Sequence, residues 1–104
     1  MKLKISDDYD EDEVWLFERI VKRLESDHGH SHDKAVELVN SYYEKFTKEE
    51  FCSKYDMSAQ NIDFFFHIES GGMADRVHYY EFLLKTPNEG EFIQWQRKIR
   101  GISE

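Results

Sequence analysis

A chain of 104 residues with 22 acidic and 14 basic side chains has a formal charge of −8, which repels nucleic-acid phosphates and favours a basic protein as partner. That length suits a single domain, residues 1–104, with one hydrophobic core. One proline and five glycines are too few for a many-turned β-sandwich, and 15% aromatic residues imply a core filled largely by rings, so the expectation is a mostly α bundle of about five helices.

Residues 1–12 begin with Leu3 and Ile5 alternating with lysines, which reads as a short strand or a frayed end. Asp7, Asp8, Asp10, Glu11, Asp12 and Glu13 then form a dense acidic run immediately before an apolar periodic segment. Carboxylates there complement the positive end of a helix macrodipole, or form a surface for a cationic partner. From Val14 to Glu25 the spacing of Val14, Phe17, Val21 and Leu24 predicts the first helix, with Trp15, Leu16 and Ile20 widening its apolar stripe.

Gly29 is placed to end that helix in the left-handed conformation. His28, His30 and His32 surround it at alternate positions, where imidazoles on an extended segment can face one ion. Metal sites generally hold their ligands on preformed elements, so no metal or cofactor is expected and this tract stands as the alternative. Ser31 or His32 starts the second helix, with Ala35, Leu38, Val39, Tyr42 and Phe46 on one face, and the short link makes helices one and two a hairpin.

Thr47 and Glu50 have capping-box spacing, which predicts a short helix carrying Phe51, Cys52 and Tyr55. A tight connection at Asp56-Met57 and a new start at Ser58 lead to Ile62, Phe65 and Phe66 at helical spacing. Gly71-Gly72 reads as a helix stop, and Val77, Tyr80 and Leu84 predict a helix over 73–85. The β-prone runs Phe64-Phe65-Phe66 and Val77 to Tyr80 leave open an α+β alternative with a hairpin turning at Gly71-Gly72. Thr86 to Gly90 is a turn. A last helix follows, with Phe92, Trp95 and Ile99 inward and Arg97, Lys98 and Arg100 complementing the dipole in its final turn.

The central stretch resembles a helix-turn-helix unit. Cys52 sits at the small-residue position of the first helix, Met57 at the apolar turn position, Ser58 at the second start, and Ile62 and Phe65 at that helix's buried positions. Asp56 replaces the usual turn glycine, and the would-be recognition helix offers Gln60, Asn61 and Asp63 without Arg or Lys, a poor match to DNA. A degenerate helix-turn-helix regulator is therefore an alternative to a purely structural tri-helical unit.

Cys52 lies on an apolar helix face and reads as a buried structural thiol; being alone, it forms no internal disulfide. His67, Glu69 and His78, with Asp75 and Arg76, are the richest polar group near an apolar wall and mark the site of a small enzyme, as an alternative to charges that pair with one another. No nucleophile elbow, Walker loop or HExxH motif accompanies them, so no enzyme is expected. No apolar run approaches membrane-spanning length and the N-terminal residues do not read as a signal peptide, so the expected location is cytoplasmic, away from membranes.

In size, negative charge and aromatic content the chain resembles the small acidic immunity proteins that bacteria encode to neutralise basic toxins, including those of contact-dependent inhibition systems. Such proteins use many unrelated folds, so the resemblance implies a role and a cationic partner but assigns no residues. The acidic run itself, Asp7 to Glu13 with Trp15 beside it, is the expected partner-binding surface: charge to steer the encounter and an aromatic anchor to hold it.

Overall fold

The computed structural model describes residues 11–101, apart from the side chains of Asp12, Glu13 and Ile62. Five α-helices and one π-helical turn follow in order: α1 (Glu11–His28), α2 (His32–Phe46), α3 (Glu49–Ser53), α4 (Ile62–Val77), the π turn (His78–Phe82) and α5 (Glu89–Ile99). The mostly α expectation holds, and no strand occurs among the described residues, so the hairpin alternative around Gly71-Gly72 is not realised.

Leu16, Phe17, Ile20, Val21 and Leu24 bury one stripe of α1 against α2 and α4. The helix ends as its sequence requires: Gly29 takes φ +71°, and the N–H groups of Gly29 and His30 return to the carbonyls of Glu25 and Leu24 at 3.1 and 3.3 Å. Ser31 then caps α2, its hydroxyl oxygen accepting from the Lys34 N–H. Ala35, Val36, Leu38, Val39, Tyr42 and Phe46 supply the α2 side of the core, which Phe65, Met73, Ala74, Val77, Tyr79, Tyr80 and Phe92 complete. Edge-to-face rings, among them Phe17 against Phe65 at 5.2 Å and Tyr79 against Phe92 at 5.4 Å, fill the space that aliphatic side chains would otherwise occupy.

The centre departs from the sequence-based boundaries. Thr47 closes α2 instead of opening α3, because its hydroxyl donates to the Tyr43 carbonyl at 2.6 Å and so satisfies a free acceptor at a helix end. Lys48 precedes α3 without a side-chain cap. Residues 54–61 form an irregular link where a tight turn was expected. Gln60 ties it down, donating its N–H to the Phe46 carbonyl and accepting from the buried Tyr42 hydroxyl at 2.6 Å. Asn61, not Ser58, caps α4 by accepting from the Phe64 N–H. Asp56 takes φ +58°, so the aspartate adopts the left-handed geometry that a turn glycine would supply.

Gly71-Gly72 does not stop the helix either. The break in α4 falls at Glu69, with φ 70° and ψ 166°, a region otherwise held almost entirely by glycine. The glycines serve close packing: a Cβ on Gly71 would lie 3.0 Å from Arg23 Nη2, and one on Gly72 would lie 2.9 Å from Ile68 Cγ2. Beyond Val77 the helix widens, the Leu83 N–H reaching the His78 carbonyl at 3.0 Å, and Leu84 turns out at φ 55° with 75% of its surface exposed instead of facing inward. Ile99 is likewise exposed, whereas Phe92 is buried and Trp95 packs against the core as the spacing predicts.

Candidate functional site

Of the expected partner-binding surface, Asp7, Asp8 and Asp10 lie outside the described residues, as do the side chains of Asp12 and Glu13. Glu11 opens α1 and is exposed. Trp15 is 56% exposed because the buried stripe begins one residue later, and the Arg19 guanidinium lies 4.8 Å over its ring, one helical turn on. An indole is thus presented to solvent and held by a cation–π contact.

The polar group proposed around His67, Glu69 and His78 does not assemble. Glu69 is the break in α4 and His67 lies two residues before it, both exposed, while His78 turns into a different cluster. Arg76 is committed to a clamp between α4 and α5: its Nη1 donates to both Glu89 oxygens at 2.6 and 2.8 Å, the Tyr80 hydroxyl donates to the same carboxylate, and the guanidinium lies against the rings of Phe64 and Phe92. Burial pushes the Tyr80 hydroxyl well above the usual tyrosine range, so it stays a proton donor to Glu89. Cys52 is buried with its thiol directed at the Phe46 carbonyl, and burial raises its pKa, as suits a structural thiol and not a nucleophile.

The alternating histidines separate. His32, on the first turn of α2, pairs with Glu25 at 3.3 Å, while His28 and His30 turn the other way and meet His78, which sequence spacing had not linked to them. The His28 and His78 rings stack at 4.1 Å and within 10° of parallel; His30 Nε2 lies 2.8 Å from His78 Nδ1, so one of these nitrogens donates and the other accepts. Trp95 lies beside the pair, 6.4 Å from the His28 ring and 6.0 Å from that of His78 at 19° and 21°, and Phe82 packs against both His30 and His78.

Beneath the rings lies Asp75, 1% exposed and surrounded by donors. Its Oδ1 pairs with His28 Nε2 at 2.9 Å and with Arg100 Nη2; its Oδ2 accepts from Gln96 Nε2 at 2.9 Å and Arg100 Nε at 3.1 Å. The hydrogen bond to Asp75 raises the pKa of Arg100, and the same guanidinium reaches Asp27 on α1. The basic last turn of α5, expected to complement its own dipole, therefore also anchors that helix to a buried carboxylate on α4.

His28 and His78 lie in nearly parallel planes, so their in-plane lone pairs cannot meet at one ion, and His28 Nε2 is already engaged by Asp75. Only His30 Nε2 and His78 Nδ1 converge, and they are bonded to each other. Among the described residues no group of three or more His, Cys, Asp or Glu is arranged to hold a metal. What the cluster does possess is proton chemistry. Burial lowers the pKa of His78 to about 4, helped by the neighbouring His28 and His30 and opposed by Asp75; burial, His28 and Lys34 lower that of His30.

The sequence held one usable signal for this cluster. Asp75 and His78 are three residues apart and so share a helix face, but their partners lie 47 and 48 residues earlier. No helix among the described residues is long and apolar enough to cross a membrane. No protein-family model, curated protein or solved structure matches the chain.

Proposed function

We propose that this chain is a cytoplasmic protein-binding domain that captures a basic partner at the N-terminal end of α1, in the manner of an immunity protein neutralising a cationic toxin. Trp15 carries the proposal. In a domain whose described residues bury seven aromatic rings in the core, this indole stays outside, held under Arg19 and preceded in sequence by a run of acidic residues. Acid beside an exposed aromatic gives long-range attraction followed by a desolvated anchor. The −8 charge acts in the same sense and disfavours nucleic acid.

The test is binding kinetics against a basic protein encoded next to this chain. Changing Asp7, Asp8, Asp10, Glu11, Asp12 and Glu13 to Asn or Gln slows association and flattens its salt dependence, whereas Trp15→Ala chiefly speeds dissociation. An association rate at low salt that is indifferent to all six neutralisations would reduce the acidic run to a helix-start feature.

A further inference from the structure

Three histidines from two distant parts of the chain form one cluster, His28 stacked on His78 and His30 tilted against it, which joins the α1–α2 turn to the π turn. His28 enters from the last turn of α1, His30 from the link to α2, and His78 from the first position of the π turn. The contact is proton-sensitive by construction. His30 Nε2 and His78 Nδ1, at 2.8 Å, can bond only while one of them keeps a free lone pair. Charging both rings sets N–H against N–H at that point, and a charge on His78 also lies 4.1 Å, centroid to centroid, from the His28 ring.

We propose that the His28, His30 and His78 cluster is an acid-sensitive latch, holding the α1–α2 turn on the π turn while either His30 or His78 is uncharged and releasing that turn when both are charged.

The groups facing the stack set how many protons it tolerates. Asp75 from α4 opposes the lowering of the pKa at His78, but its carboxylate is bonded to His28 and to Arg100 from α5 and makes no direct contact with His78. Lys34 from α2 and His28 from α1 oppose charging His30. Asp27 on α1 is drawn to Arg23 and Arg100, Glu81 of the π turn is held by Lys45 and Ser41, and Glu25 is paired with His32, so these carboxylates are committed to other partners. Trp95 and Phe82, which enclose the rings, offer no counter-charge.

The sign follows. His30 and His78 have pKa values below those of a free histidine, so the latched state binds fewer protons than the released one. It is fully favoured above about pH 6.5, the ordinary histidine value, and weakens as the pH falls towards about 4, the folded value for His78. Release loosens the turn at Gly29 to Ser31 and frees the Phe82 ring, which now rests on His30 and His78.

Amide hydrogen exchange on the full chain, corrected for intrinsic rates, tests the latch at pH 7 and pH 5. Protection at residues 29–32 and 83–85 is expected to fall at least tenfold, while amides in the middle of α2 keep theirs. His78→Gln retains a donor and an acceptor but has no titrating ring. It is expected to flatten the pH dependence at 29–32 whatever the absolute protection there. Protection at 29–32 that ignores pH, that falls as much in His78→Gln as in the parent, or that falls only together with α2 as global unfolding, would overturn the latch.

Discussion

Asp75→Asn isolates the contribution of one buried charge without changing the shape of the side chain. Each Asp75 oxygen faces two donor groups: His28 Nε2 and Arg100 Nη2 on Oδ1, Gln96 Nε2 and Arg100 Nε on Oδ2. An amide must turn its NH₂ towards one of these pairs. Facing Oδ1's partners, it can be accommodated by His28, which can switch tautomer and accept, but it still opposes Arg100; facing Oδ2's partners, it opposes Arg100 and requires the Gln96 amide to flip. In either orientation about two hydrogen bonds involving a charged group are lost or weakened, each worth about 1.5–3 kcal/mol. Arg100 is itself about one-third exposed and recovers part of that from water, which places the total near the lower end, about 3 kcal/mol. For a domain of this size that is a fall in melting temperature of about 12 °C or more. Urea and thermal unfolding at pH 7 measure it directly. A variant within about 0.5 kcal/mol of the parent would mean that Asp75 is not the electrostatic centre of the α1, α4 and α5 junction.

Glu69→Gly is expected to stabilise the fold, because the backbone at φ 70° and ψ 166° costs a non-glycine residue roughly 1–3 kcal/mol, against roughly 0.5–1 kcal/mol of extra chain entropy that glycine loses on folding. A net gain of about 1 kcal/mol in urea unfolding is the expected result, and a loss would show that the Glu69 side chain makes a contact outweighing the strain. EDTA is expected to leave the melting temperature unchanged, since the His30 and His78 nitrogens that converge are satisfied by each other; a fall restored by one equivalent of Zn²⁺ would place an ion between them.

The helices were legible wherever a periodic apolar stripe coincided with a local stop signal. α1 with Gly29, α2 with Ser31 and the Phe92 face of α5 followed from residues close together in sequence, whose physics is local. At several positions a residue with a familiar local role was taken over by a different contact, local at Thr47 and Gly72 and tertiary at Gly71 and Gln60. Thr47 has the spacing of a capping residue, but the carbonyl of Tyr43 was nearer. Gly71 and Gly72 have the composition of a helix stop, but their missing side chains make room for Arg23 and Ile68, and the break moved to Glu69. Ser58 lost its start to Asn61 because Gln60 is tied to Phe46 and Tyr42, which holds the chain irregular until that point. The histidine cluster lay further from reach, since nothing local couples His28 and His30 to His78; only the path of α4 beside α1 does so.

Trp15 and His28 lie on the same helix thirteen residues apart, about 20 Å along its axis at 1.5 Å per residue. α1 is buried along much of that length by Leu16, Phe17, Ile20, Val21 and Leu24, and Gly29 ends it beyond His28, so release of the α1–α2 turn can occur past the end of the helix without bending it. At that distance a charge gained at His78 is also largely screened from Trp15 at physiological salt, where the Debye length is about 8 Å. The partner-binding surface and the latch are therefore separable: each can fail its own test while the other stands. Coupling between them would require a second state of α1 itself, and a helix buried on its apolar stripe and closed by a left-handed glycine has little reason to adopt one.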